Sequence, residues 1–298
     1  MLNICIPIYN FDVRPLVAAL DKEVASLKKD IELILIDDAS DKKYIEINKE
    51  ECNKHLYIQL EKNIGRASIR NLFLKYATHE YLLFLDCDSL IIDNNFIAKY
   101  LQCISTGNKS VICGGRVYSK TKPLKNKMLR WKYGIHKESQ IASIRKLTPN
   151  HSFMTNNFVV NKAVLKKIQF DERLKKYGHE DTLFGFELLK EGISVEHIEN
   201  PVDNGDIENN IDFLTKTENG IHSLVSILEY VDYNPELIKM IKLARVMDHV
   251  NKWHLLWLVS LLFTIFKPIL KYTLINGPIN LIAFDLYKLG LLVHVMKR

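Results

Sequence analysis

Tyr81-Leu82-Leu83-Phe84-Leu85-Asp86-Cys87-Asp88-Ser89 is an apolar run that ends abruptly in two carboxylates one residue apart. Its length and composition predict a buried parallel strand. A chain leaving such a strand delivers the next residues to the carboxyl edge of the sheet, where open α/β folds bind ligands. Two negative charges there are unfavourable, through desolvation and mutual repulsion, unless something positive joins them. A hard divalent cation shared with a phosphate fits, because Mg²⁺ prefers one or two carboxylates plus phosphate oxygens. The plainer reading is an Asp-rich turn that caps a following helix.

Outward from this stretch, strand and helix signals alternate. Residues 2–8 form a short apolar run ending in Pro7-Ile8-Tyr9-Asn10, and Pro15 sits early in the next helical segment. Residues 32–38 (ELILIDD) predict a second strand that again ends in carboxylates, and 55–60 a third. Asn63-Ile64-Gly65 turns into a helix whose Ile69, Leu72, Phe73, Tyr76 and Ala77 share one face. A helix is expected around 95–105, then a strand over 110–117. Short loops between alternating elements predict an α/β fold with a parallel, doubly wound sheet. The polar tips Tyr9/Asn10, Asp37/Asp38 and Asp86/Asp88 then converge on one rim, which turn chemistry explains poorly.

The chain has 298 residues, enough for one large α/β domain or a smaller one with an appendage. With 26% charged and 47% apolar residues, disorder is not expected. The net charge of +6 is mild, and no nucleic-acid-binding signature is visible. Five scattered cysteines (Cys5, Cys52, Cys87, Cys103, Cys113) without C-x-x-C spacing argue against a zinc site or disulfide framework and suit a reducing cytosol. The N-terminus lacks a charged n-region and cleavage site, so no secretion signal is expected.

Residues 119–146 carry nine Lys/Arg against the single acid Glu138. They read as a solvated, mobile segment, or as a loop over an anionic ligand or acidic lipid headgroups. A strand at 158–160 and a helix from Asn161 precede Phe170-Asp171-Glu172-Arg173 and Tyr177-Gly178-His179-Glu180-Asp181. Glu180 and Asp181 sit in a first helical turn, where the macrodipole favours negative charge.

The ordered set PIYN (7–10), IDDAS (36–40), NIGRASIRN (63–71), FLDCDS (84–89), TNNFVVNK (155–162), FDERLKKYGHEDTLFGFELLKEG (170–192) and IENPV (198–202) resembles the inverting family 2 glycosyltransferases. These have the GT-A fold, Rossmann-like with a mostly parallel sheet flanked by helices, and use nucleotide-sugar donors. The resemblance covers roughly residues 2–210. It implies a nucleotide-sugar-binding half at 1–120 and an acceptor and catalytic half at 121–225, and the apolar composition beyond them predicts a C-terminal helical extension at 226–298. It places Pro7, Tyr9, Asn10, Asp38, Arg66 and Asp86 at the donor. Tyr9 would stack on the base, Asp38 accept from a base N–H such as uracil N3–H, and Arg66 reach the diphosphate. Asp88 resembles the ligand for Mg²⁺ or Mn²⁺, with Asp86 bracing the ribose or the metal. Asp181 resembles the general base that deprotonates an acceptor hydroxyl, with Glu180 beside it. The donor is then a nucleotide sugar, with UDP the expected carrier, and the acceptor a glycan or lipid-linked glycan in polysaccharide synthesis.

Related sequences often place a histidine soon after Asn-Pro-Val. Here Asp203-Asn204-Gly205-Asp206 follows, leaving His197 and His222 as substitutes for a third metal ligand. Two other classes compete. A strand-DxD also begins haloacid-dehalogenase-type phosphatases, though there it opens the fold. A non-catalytic nucleotide-sugar-binding scaffold is the other.

Residues 253–266 (WHLLWLVSLLFTIF) are apolar until Lys267-Pro268, and 269–296 form a second, broken apolar stretch. Fourteen helical residues span about 21 Å, short of the ~30 Å hydrocarbon core, so spanning is not expected. Two readings remain, helices that close the core of the catalytic domain or interfacial helices; Trp253 and Trp257 at i, i+4 and the nearby Lys252, Lys267 and Lys271 favour the second, peripheral membrane association at the cytoplasmic face of the inner membrane.

Overall fold

The computed structural model describes residues 1–107, 109–174, 178–205 and 207–296. The chain divides into two compact units. One comprises Met1–Ser119, Ser139–Lys175 and Glu187–Asp206, the other Lys120–Glu138, Lys176–Phe186 and Ile207–Arg298. Strands are β1 (Leu2–Ile8), β2 (Ile31–Asp37), β3 (Leu56–Gln59), β4 (Tyr81–Leu85), β5 (Ser89–Ile91), β6 (Val111–Cys113), β7 (Arg116–Val117), β8 (Asn157–Asn161), β9 (Glu196–His197) and β10 (Val202–Asn204). Helices are α1 (Arg14–Leu27), α2 (Lys42–Glu51), α3 (Arg66–Tyr76), α4 (Phe96–Thr106), α5 (Met128–Tyr133), α6 (Ala142–Arg145), α7 (Lys162–Lys167), α8 (Glu180–Lys190), α9 (Asn210–Tyr230), α10 (Pro235–Met240), α11 (Lys242–Lys252), α12 (Leu256–Asn276) and α13 (Leu281–Met296).

In the first unit a seven-stranded sheet runs β3-β2-β1-β4-β8-β6-β9. β3, β2, β1 and β4 are parallel, as is the β6–β9 pair, while β8 is antiparallel to both neighbours. The α/β expectation holds, with β8 as the exception to a parallel sheet. β1 and β4 are apolar nearly throughout because helices cover both faces. Leu16, Val17 and Leu20 of α1 and Phe96, Ile97 and Tyr100 of α4 pack into one core cluster with Ile4, Ile6 and Leu83. Elsewhere, Phe84 meets Phe73 edge-on and stacks on Phe158. Each such side chain contributes about 1.5–3 kcal/mol by leaving water.

The strand expected over 110–117 is instead two short strands in different sheets. Gly114 interrupts it: a Cβ there would lie 2.3 Å from Tyr100 Oη and 2.5 Å from the Asn200 carbonyl oxygen. Gly115 then turns with φ +89°. β7 joins β10 and β5 in a small second sheet.

In the second unit Tyr133 of α5, Phe213 of α9 and Phe284 of α13 form an aromatic cluster. The Asn210 amide donates to the carbonyls of Lys125 and Ile275, tying the basic segment to the end of α12. That segment is not the loop expected. It forms α5 and a π-helical turn at Gly134–Glu138, buries Leu129 and Trp131, and pairs Arg130 with Glu138 at 3.0 Å.

Pro268 does not end the C-terminal helix, because the ring removes one backbone bond in a helix that otherwise continues on both sides. α12 therefore runs 21 residues, about 31 Å, close to the ~30 Å hydrocarbon core. It is long and apolar enough to cross a membrane by length and composition, which corrects the estimate from fourteen residues.

Candidate active site

The first unit gathers most of the sequence-predicted residues at the carboxyl ends of β1, β2 and β4. β1 pairs with β4 only as far as Cys5↔Phe84, so the two strands part before Pro7. Tyr9 follows with 54% of its surface exposed, available for stacking. Asn10 adopts a left-handed φ of 50°. It is fixed there because its N–H donates to Ser40 Oγ and its side-chain oxygen accepts from Asp41 N–H, at 2.8 and 2.7 Å.

Asp37 and Asp38 end β2 in different roles. Buried Asp37 shapes the turn, accepting from Ser40 N–H (2.7 Å) and the Tyr57 hydroxyl (3.0 Å). Asp38 accepts from the N–H groups of Ile64 (2.7 Å) and Gly65 (3.0 Å), at the start of α3. Burial pushes its carboxyl above the usual range, and the two backbone donors pull the other way. Each carboxylate oxygen keeps a second acceptor site, so Asp38 can also accept from a ligand. Gly65, at φ +85°, makes the turn that a side chain would strain, and Arg66 emerges exposed just after it.

Asp86-Cys87-Asp88 lies between β4 and β5, while α4 begins only at Phe96, preceded by Asn95. The two acids therefore cap no helix directly, which removes the plainer reading. Asp86 N–H donates to the Asn156 carbonyl (3.1 Å), and its Oδ1 accepts from Arg70 Nη2 at 2.9 Å. Arg70 is almost wholly buried, donates to the Arg66 carbonyl at 3.1 Å, and lies over the Phe170 ring. Cys87 is pushed up to about 12 by burial, with Asp88 and Asp86 adding to the effect.

Asp88 is half-buried and raised above the ordinary carboxylate range, first by burial and second by Asp86. Arg116 and Arg66 oppose that shift through space. The Asp88 carbonyl accepts from Gly205 N–H at 3.1 Å, and Asn204 pairs with Ser89 across β10 and β5. Arg116 Nη2 donates to the Asn204 side chain at 3.2 Å. A hard cation suits this set: two acids one residue apart, one already paired and the other raised by its neighbour and by burial.

His197 is not available as a substitute ligand. It is fully buried, Arg145 Nη1 donates to its Nδ1 at 2.7 Å, and its Nε2–H donates to the Pro149 carbonyl at 2.8 Å. Burial also lowers its basicity. His222 is exposed on α9, in the second unit. Tyr177 and Asp206 lie outside the described residues.

Within the second unit, Gly178 and His179 lead into α8 with φ of +99° and +66°. Glu180 is buried, at 7% exposure, and Asp181 follows in the first turn. Asp181 Oδ1 accepts from Thr182 N–H at 2.7 Å and from Thr182 Oγ1 at 3.3 Å.

Two residues escaped the sequence reading. Arg70 is the ion-pair partner of Asp86, and its signal was the i, i+4 spacing from Arg66 within NIGRASIRN. Arg116 faces Asp88, and only the Gly114-Gly115 break hinted that it left the main sheet.

The model of the family described as "Glycosyl transferase family 2" matches residues 3–169. Chondroitin synthase of Escherichia coli is 25% identical over 234 residues, 66% of this chain and 33% of that protein. An uncharacterized glycosyltransferase of Rickettsia bellii is 30% identical over 145 residues, 40% of this chain and 20% of its own length. The chain thus spans only a fifth to a third of these two relatives. Among solved structures, the mannosyltransferase PcManGT of Pyrobaculum calidifontis, in complex with GDP-Man and Mn²⁺, aligns over 99% of this chain and 86% of its own, with TM-score 0.56 and 12% identity. S. aureus TarS aligns over 76% of this chain and 39% of its own, with TM-score 0.52 and 20% identity. The architecture is that of the GT-A fold, and the phosphatase reading falls away. With more than half of its length matched by the family model, the chain belongs to glycosyl transferase family 2.

Proposed function

We propose that the chain is an inverting, metal-dependent glycosyltransferase that moves a sugar from a UDP-sugar to a hydroxyl of a glycan or lipid-linked glycan. The observation that carries this reading is the gathering of Asp38, Asp86 and Asp88 on one rim, with Arg66 and Arg116 set against Asp88. S. aureus TarS in complex with UDP and PcManGT with GDP-Man and Mn²⁺ are folds of the same kind, which supports a nucleotide-sugar donor and a divalent metal.

In this reading residues 1–120 hold the donor, 121–225 supply the acceptor side, and 226–298 are a helical extension. Tyr9 stacks on the base, and Asp38 accepts its N–H while remaining tied to α3. Arg66 and Arg116 bind the diphosphate. Asp88 holds Mg²⁺ or Mn²⁺, and Asp86, fixed by Arg70, braces the ribose or the metal. When bound, the metal supplies charge neutralisation for the departing nucleoside diphosphate. Asp181 takes the proton from the attacking acceptor hydroxyl, and Glu180 orients the acceptor.

α12 supports peripheral membrane association. Trp257, Leu261, Ile265, Ile269 and Tyr272 recur along one stripe, each half or more exposed. Such a stripe suits a helix lying in the headgroup boundary. Sedimentation with anionic vesicles tests this, and unchanged binding of Trp257→Glu/Ile265→Glu would refute it.

The central test is transfer from a panel of UDP- and GDP-sugars, with Mn²⁺ or with chelator. Asp88→Asn and Asp181→Asn are each expected to lower transfer by at least a hundredfold without loss of fold. Undiminished transfer by either variant refutes the role given to that residue.

A further inference from the structure

Thr182 has one hydroxyl proton and, among the described residues, two polar neighbours: Asp181 Oδ1 and His179 Nδ1, each 3.3 Å away. An ionised carboxylate can only accept. The Thr182 proton therefore belongs to Asp181, and the hydroxyl lone pair must take a proton from the histidine. That choice fixes the ring as the Nδ1–H tautomer. Burial lowers His179 to about 4, with Lys288 adding to the effect and Glu180 opposing it, so a single N–H is present at neutral pH.

The backbone is committed to the same arrangement. His179 precedes the first residue of α8 and its carbonyl accepts from Leu183 N–H at 3.0 Å, the position of an N-cap. An N-cap side chain ordinarily accepts from the backbone N–H three residues on, here that of Thr182. Asp181 takes this donor instead, at 2.7 Å. The left-handed φ of 66° is unusual for a non-glycine residue. Gly178 before it packs so closely on α9 that an added Cβ would lie 3.0 Å from Gly220 Cα.

We propose that His179 and Thr182 are positioning residues for Asp181: His179 Nδ1–H donates to Thr182 Oγ1, which donates to Asp181 Oδ1 and fixes the carboxylate for proton abstraction. The proposal rests on Asp181 being the base. It assigns a job to the residue before the Glu-Asp pair and to the one after it. The titratable groups facing this turn are Glu180, Tyr133 of α5, and Lys288 with its partner Asp285 on α13.

The test uses the full chain with Thr182→Val, Thr182→Ser, His179→Gly and His179→Asn. Glycine accepts the left-handed backbone but has no ring, whereas asparagine accepts it and keeps a side-chain N–H donor. Thr182→Val and His179→Gly are expected to lower kcat about tenfold, with donor KM within about twofold. Thr182→Val should also move the acid limb of the kcat–pH profile upward by about half a unit, because the charged carboxylate loses a donor. Thr182→Ser should restore both quantities, and His179→Asn should recover part of kcat. Independently of activity, ¹⁵N NMR of the His179 ring should show Nδ1 protonated. A helix cap alone would leave the acid limb unmoved, so an unshifted limb in Thr182→Val overturns the proposal. An Nε2–H ring also overturns it. Undiminished transfer by Asp181→Asn removes the base assignment itself, and the relay as a positioning device with it.

Discussion

Replacing Arg70 with methionine removes the cation that holds Asp86 while keeping a long apolar stem in the space over Phe170. Arg70 and Asp86 meet at 2.9 Å with side-chain exposures of 2% and 21%. At an effective dielectric of about 20, unit charges about 4 Å apart attract by roughly 4 kcal/mol. Desolvation offsets part of this in the intact pair, but the offset is not recovered when only one partner is deleted. Breaking a buried pair from one side costs about 3–5 kcal/mol. Asp86 keeps some contact with water, so the low end applies, about 3 kcal/mol. Methionine also loses the bond from Arg70 Nη1 to the Arg66 carbonyl.

Equilibrium urea unfolding at neutral pH measures this cost, and the m-value checks that the transition keeps its form. A double-mutant cycle isolates the pair. Asp86→Asn/Arg70→Met should be more stable than the two single costs imply, by about 2 kcal/mol, since no orphaned carboxylate remains. Additive costs, or an Arg70→Met cost below about 1 kcal/mol, would show that the ion pair does not hold Asp86. Arg70 would then be a packing residue and Asp86 would be held by its backbone alone.

Asp88→Asn should unfold at the same temperature as the parent or a few degrees higher, because it removes a charge that burial and Asp86 disfavour; the same variant should lose Mn²⁺-dependent stabilisation by UDP, measured by thermal shift. His179 binds its proton less readily folded, at about 4, than unfolded, at about 6.5, so the unfolded chain holds more protons between those values and stability falls as pH drops from about 6.5 through about 4. His179→Asn should flatten that fall by up to about 3 kcal/mol in urea titrations from pH 7 to 4, and equal slopes would count against it. Gly290→Ala should cost about 1–3 kcal/mol, since its Cβ would lie 2.3 Å from Phe263 Cδ2 where α13 meets α12; unchanged thermal unfolding would show that α12 shifts freely.

The tips of β1, β2 and β4 were legible because each apolar run stops at a carboxylate or a Tyr-Asn pair, and a parallel sheet leaves those stops on one rim. Direction was not legible at β8: residues 158–160 are uniformly apolar, and such a run carries no sign of which way it pairs. Arg70 was missed because an arginine inside an amphipathic helix ordinarily points to solvent, and only tertiary structure turns it inward onto Asp86. Pro268 misled in the opposite sense. Its local penalty is real, but it is one lost hydrogen bond within a helix of 21 residues, not a terminus. The basic segment misled because sequence counts charges without partners. Arg130 is bound by Glu138, and Arg145 is almost wholly buried against the carbonyls of Cys113, Gly114 and Ile198.

The three carboxylates of the rim form a graded series. Asp38 is answered by two backbone N–H groups at a helix start, donors that cannot leave. Asp86 is answered by one buried guanidinium. Asp88 makes no direct ion pair among the described residues, and its charge is favoured by Arg116 and Arg66 through space and by one backbone N–H. A charge with so little local compensation destabilises the empty fold, and stability alone would replace it with asparagine. In the proposed function, a bound divalent cation would supply the positive charge that this place lacks. The same logic separates Asp37, wholly internal and serving the turn, from its neighbour Asp38. Degree of compensation, more than the presence of an acid, sorts these residues into scaffold and site.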